Sequence, residues 1–166
     1  MASKQSFTPD EWNKIMESVA LSGMAVTAAD PSGLIGLLQE SFASAGALMK
    51  AKTDPNANEL IKAVVAEFET VDGRGKLREA LKARFAGAKT TDVSQRSIVA
   101  LREVSRLLDS KAPQDSAPFK QWLRTISSKV AEAASEGGLL GFGGHKVSDA
   151  EKASLGDIAK ALGVAA

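Results

Sequence analysis

Residues 17–50 constrain the fold of this chain more than any other stretch. They read ESVALSGMAVTAADPSGLIGLLQESFASAGALMK, and only Glu17, Asp30, Glu40 and Lys50 among them carry charge. The rest are apolar, small or hydroxylated, so most of the stretch must be buried. Asp30-Pro31 interrupts it and predicts two buried helices meeting at a tight corner. Asp30 suits an N-cap, and Pro31 suits the first helical turn, where its missing N–H costs nothing. Leu34, Ile35, Leu37, Leu38, Phe42, Ala45, Leu48 and Met49 keep the i, i+3, i+4 recurrence of a helix. Glycine inside a helix costs roughly 1 kcal/mol against alanine. Gly23, Gly33 and Gly36 therefore point to close backbone packing as the compensation. The longest uncharged run, residues 18–29, spans 12 positions, against ~20 needed to cross a bilayer. The expectation is a buried, small-residue-rich hairpin over 18–49 and no transmembrane segment.

The remaining pattern is helical throughout. Thr8-Pro9-Asp10-Glu11 opens a first helix, with an N-cap, proline at N1 and acids in the first turn. Trp12, Ile15, Met16 and Val19 form its apolar face. The second helix is expected over about 31–52. Asp54-Pro55 marks the start of a third, which carries Leu60, Ile61, Val64, Val65 and Phe68. Asp72-Gly73-Arg74-Gly75 reads as a turn. A fourth helix follows with Leu77, Leu81 and Phe85, ending near Gly87. Thr91 or Asp92 caps a fifth, striped by Val93, Ile98, Leu101, Val104, Leu107 and Leu108 and stopped at Ala112-Pro113. Asp115, Ser116 and Pro118 introduce a sixth, with Phe119, Trp122, Leu123, Ile126 and Val130 inward. A last helix carries Leu155, Ile158, Ala159 and Leu162. The fold class expected is all-α: a single domain over 1–166, built as a bundle of about seven helices around the hairpin. Residues 1–7 are expected as a flexible tail, and residues 137–147 as a glycine-rich loop before the last helix.

Composition narrows the chemistry. The net charge is +1 over 166 residues, so no global field favours nucleic acid or membrane. There is no Cys, no Tyr and a single histidine, His145. Disulfides, thiolate metal sites and cysteine nucleophiles are excluded, and most histidine-based acid–base schemes with them. The opening MASKQSFTPDEW has no apolar signal region, which makes a cytoplasmic location the default expectation. No cofactor motif is present.

Four features remain as candidates. The loop 137–146 places five glycines before a helix start, where free N–H groups and the dipole favour anions. Gly143, Gly144, His145, Lys146 and Ser148 are its candidate ligand-binding residues. It fits neither phosphate-binding glycine motif. Leu139, Leu140 and Phe142 favour a structural plug, and Ser148 with Glu151 reads as a capping box. Residues 74–89 hold six basic residues and one acid. Arg74, Arg78 and Lys82 share one side and form a candidate phosphate-binding patch. No aromatics interleave them for base stacking. Of the close carboxylate pairs, only Glu132/Glu136 share a helical face. A di-metal bundle would use Glu-x-x-His, and His145 has Phe142 three residues earlier. No metal site is expected. Trp12 and Trp122 sit at core spacing.

Two resemblances follow from quoted residues. ADPSGL at 29–34, after an apolar small-residue helix, together with ASEGGLLGFGGHKVSDAEKASLGDIAKALG at 134–163, resembles an uncharacterised family of small all-helical bacterial proteins. That match would span nearly the whole chain and brings no activity to transfer. Residues 144–162, roughly Gly-x-x-Val-Ser-x-x-Glu followed by an Ile-Ala-x-x-Leu helix, are similar to the tellurite-resistance TerB-like helical domains. Where that family places acidic residues, this chain has Gly143, Gly144 and His145, so no acidic metal site carries over. The leading functional expectation is a non-enzymatic binding or assembly protein, with a homodimer through spare apolar helix surface. The alternatives are an anion-binding or enzymatic domain at 137–148, and a nucleic-acid or anionic-membrane binder through 74–89.

Overall fold

The computed structural model describes residues 2–26, 57–136 and 149–165. Within them lie a 3-10 turn, η1 (Lys4–Ser6), and six α-helices: α1 (Pro9–Met24), α2 (Glu59–Glu69), α3 (Val71–Arg84), α4 (Thr90–Lys111), α5 (Pro113–Glu136) and α6 (Asp149–Leu162). There is no strand among the described residues, and the fold is all-α. None of these helices is long and apolar enough to cross a membrane. The expected second helix, most of the 18–49 hairpin and the whole of the loop 137–147 lie outside the described residues. So do Gly143, Gly144, His145, Lys146 and Ser148.

The part of the hairpin stretch that is described behaves as its composition demands. Every residue from 15 to 26 is buried. α1 packs against α3, α4 and α5, while α6 lies on α4 and α5, and α2 on α3 and α5. Ile15, Val19, Leu21 and Met24 meet Leu101, Leu108, Phe119, Leu123, Ile158 and Leu162 in one apolar cluster. Burying polar groups is costly unless they are hydrogen-bonded, and α1 meets the condition locally. Ser18 Oγ donates to Ile15 O at 2.6 Å and Ser22 Oγ to Val19 O at 2.8 Å. Ser127 Oγ of α5 donates to Ser22 O at 2.8 Å, which stitches the two helices together. Glu17, the one charge in the buried run, accepts from Arg84 Nε of α3 at 2.5 Å.

Four boundaries differ from the sequence expectation, each for a local reason. Asp72-Gly73-Arg74-Gly75 is the first turn of α3, not a connection. Thr70 Oγ1 accepts from Gly73 N–H and caps that turn. α2 is capped by Asn58, three residues beyond Pro55. Asn58 Oδ1 accepts from the N–H groups of Leu60 and Ile61, while Nδ2 donates to the buried carboxylate of Asp115 at 2.7 Å. α4 begins at Thr90, with the Asp92 carboxylate accepting from Lys89 N–H. α5 begins directly at Pro113 and contains Pro118.

The N-terminal segment expected as a tail is docked. Phe7 is buried, Ala2 N–H donates to Asp115 Oδ2 at 2.6 Å, and Lys4 Nζ lies 2.8 Å from Glu67 Oε2. Asp115 therefore ties the chain start and the α2 cap to the first turn of α5.

Candidate functional site

The basic helix is α3, and its cations are dispersed over different tasks. Arg74 donates to the carbonyls of Phe68 and Glu69, at 3.0 and 2.8 Å, closing the C-terminal end of α2. Lys76 pairs with Asp72 at 2.7 Å, one turn earlier. The pair's hydrogen bond and charge raise the lysine's pKa above its ordinary value. Arg84 is committed to Glu17. Arg78 and Lys82 are exposed, with no ion pair or hydrogen bond among the described residues. Of Arg74, Arg78 and Lys82, then, two remain open to solvent and one is spent on helix carbonyls.

The described residues instead build a cleft between η1, α1 and α3, with a volume of about 380 Å³. Its formation starts with helix capping. Thr8 Oγ1 accepts from Glu11 N–H, and the Glu11 carboxylate accepts from Thr8 N–H at 2.8 Å, a reciprocal box that fixes the start of α1. Glu11 also reaches Lys111, and that hydrogen bond, ahead of the one from Thr8, holds its pKa below the usual value. With Thr8 as N-cap, Phe7 precedes the cap and Trp12 is the fourth helical residue. Their rings pack at 6.2 Å, which makes a hydrophobic staple. The staple turns η1 back over α1 and forms one wall of the cleft.

Gly73 sets the opposite wall. A Cβ there would lie 2.2 Å from Glu67 O and 2.8 Å from Thr70 Oγ1, so only glycine lets α3 turn this closely off α2. That corner carries Lys76, Leu77 and Ala80 to the cleft. Phe7, Trp12, Met16, Leu77 and Ala80 make its floor apolar.

The rim is polar but self-neutralised. Lys4 pairs with Glu67 and lies 5.9 Å over the Trp12 ring, and Lys76 pairs with Asp72. Asn13 stands exposed at the edge without a hydrogen bond among the described residues. The indole N–H of Trp12, one of the residues that line the cleft, is buried and has no acceptor among the described residues.

The sequence reading placed Trp12 in the core, and it is 4% exposed. It did not see the cleft beside it. Phe7-Thr8-x-x-Glu11-Trp12 carried the signal: a staple and a capping box together forecast a docked N-terminus. Among the described residues, no group of three or more His, Cys, Asp or Glu side chains could hold a metal ion. No family model, no curated protein and no solved structure matches this chain.

Proposed function

We propose that this is a non-enzymatic helical binding protein whose cleft between η1, α1 and α3 takes a small uncharged amphiphile. The observation that carries this reading is the contrast between an apolar floor and a rim whose charges cancel in pairs. A volume of about 380 Å³ falls within the range of small-molecule pockets, which are mainly apolar with a few polar groups for orientation. A charged ligand would find no net opposite charge, and an apolar body with one hydrogen-bond acceptor matches what is present. A buried donor without an acceptor costs about 1–3 kcal/mol, so an acceptor supplied to Trp12 Nε1 would add specificity. Asn13 offers a carboxamide, both donor and acceptor, at the edge. Among the described residues no hydroxyl, thiol or imidazole lines the cleft, which supports binding over catalysis.

Trp12 reports on its own site. In a Trp122→Phe background, titration with octanamide or octanol is expected to give a saturable change in Trp12 emission. Ala80→Phe, which fills the cleft, is expected to abolish that response while leaving the unfolding midpoint near the parent value. An emission unchanged by either probe would overturn the proposal. The homodimer reading gains no support from the described surface, where Val71 and Val99 are the large exposed hydrophobics.

A further inference from the structure

A second depression, of about 500 Å³, lies where α4, the start of α5 and the end of α6 converge. Its charge is one-sided. Arg102 and Arg106, one turn apart on α4, are exposed and make no hydrogen bond or ion pair among the described residues. Lys160 enters from α6, 82% exposed, with Asp157 only loosely placed at 3.7 Å. Lys120 of α5 is buried in the wall, and its Nζ lies 2.6 and 2.7 Å from the two oxygens of Asp109. Asp109 also accepts from Ser116 Oγ at 2.7 Å. Asp109 and Lys120 thus cancel, and among the described residues the Asp109 carboxylate accepts from Lys120 and Ser116 and from neither arginine.

The neutral donors are also spent. Ser105 Oγ donates to Leu162 O at 3.1 Å, and Gly163 N–H and Val164 N–H close the end of α6 on Lys160 O and Ala159 O. The helix termini supply no net positive field of their own, since α4 and α6 both end at the groove where α5 starts. Among the described residues, what remains is two guanidinium groups without an ion pair and the exposed Lys160 ammonium, in a long contact with Asp157, around one concavity.

We propose that this groove is an anion site for a small phosphorylated ligand, held by Arg102 and Arg106 with Lys160 closing over it. The guanidinium fork matches phosphate oxygens in a bidentate way that a lysine cannot copy. Arg102 and Arg106 stand about one helical turn apart on α4, a spacing of one or two phosphate groups rather than of a nucleic-acid backbone. This site is independent of the amphiphile cleft, on different helices and with opposite chemistry.

Titration of the whole protein with inorganic phosphate and pyrophosphate, read by amide shifts, tests it. The expected result is saturable shifts at 102–109, the first turn of α5 and 160–164, weakened by added salt. Arg102→Gln and Arg106→Gln should each lower affinity about tenfold, with the unfolding midpoint unchanged because both side chains are exposed. Arg106→Lys, which keeps charge and loses the fork, should fall between the native protein and Arg106→Gln. Absence of saturable shifts would overturn the proposal. So would an Arg102→Gln/Arg106→Gln double variant that binds pyrophosphate as the native protein does. Tighter binding of a single-stranded oligonucleotide than of pyrophosphate would overturn the small-ligand assignment.

Discussion

α1 and α3 lie against each other and are helical for opposite reasons. From residue 15 to its end, α1 is buried on every side, and it holds its place by packing. α3 buries only Gly73 and Leu81. It is set by local devices: the Thr70 cap, the Lys76–Asp72 pair, and Arg74 anchored on the carbonyls of α2. Packing of an apolar face usually supplies most of a helix's stability. α3 departs from that rule and is placed by a few anchors, which leaves one of its faces free to line a cleft.

The sharpest way to break this comparison is to truncate one side chain on each helix. Leu21 of α1 is fully buried, so Leu21→Ala should cost about 2–5 kcal/mol through lost burial and the cavity left behind. Arg78 of α3 is exposed and unpaired among the described residues, so Arg78→Ala should stay within about 0.5 kcal/mol. Urea unfolding midpoints check both. Similar costs for the two variants would mean that α3 is held by packing after all.

The next test sits on the contact between the helices. Glu17 is nearly enclosed, with its side chain 9% exposed, while Arg84 keeps 26%. Glu17→Gln keeps the shape and removes the charge-assisted bond, and should cost about 1.5–3 kcal/mol. Arg84 retains some water, which keeps the loss below that of breaking a wholly buried pair. A double-mutant cycle with Arg84→Met isolates the pairwise contribution, and a coupling near zero would remove this anchor from the account.

Gly73 comes third. Its missing Cβ is what permits the corner between α2 and α3, so Gly73→Ala should cost about 1–3 kcal/mol by forcing Glu67 and Thr70 apart. It should also lower the affinity of any cleft ligand, because α3 carries Leu77 and Ala80. This residue shows where the sequence was hard to read. Asp72-Gly73-Arg74-Gly75 has turn composition, and nothing local says that glycine serves a helix start pressed onto a carbonyl. That contact is tertiary. The burial of 17–26, by contrast, was legible, because ten positions with one charge have nowhere else to go. So were the core stripes of α4 and α5, whose spacing alone points Leu101, Leu108, Phe119 and Leu123 inward. The cleft was half legible: Trp12 was visible, but Lys76 and Leu77 reach it only through the corner. The groove at Arg102 and Arg106 depends on where α6 ends, which no local pattern on α4 reveals.

Asp109 gives a smaller, pH-dependent contrast with Glu17. The hydrogen bonds from Lys120 and then Ser116 hold its carboxyl below the ordinary carboxylate value. A depressed folded pKa contributes stability above the unfolded value of about 3.9, and that contribution is lost as pH falls through the folded value. Asp109→Asn should therefore be less stable than the native protein at neutral pH, with the gap closing on acidification. The carboxylate is 60% exposed, so solvent screening keeps this loss below that of Glu17→Gln. A gap that is constant from neutral to strongly acidic pH would remove Asp109 as a charge-dependent clamp between α4 and α5.

The smallest effect has the opposite sign. Gly75 stands two residues after Gly73 in the same helix, but a Cβ there would meet nothing within 4 Å. Its backbone is helical, so alanine fits without strain, and its gain comes from restricting the unfolded chain. Gly75→Ala should raise stability by about 0.5–1 kcal/mol, seen as a higher midpoint with unchanged denaturant slope. The pair Gly73→Ala and Gly75→Ala thus separates two roles for glycine within one turn: one admits a close contact, and the other only leaves the chain loose. If Gly75→Ala were destabilising, α3 would need flexibility at its first turn, and its placement by a few rigid anchors would not hold. If both variants were stabilising, the approach of Gly73 to Glu67 O would not exist in solution, and the wall of the cleft that depends on it would have to lie elsewhere.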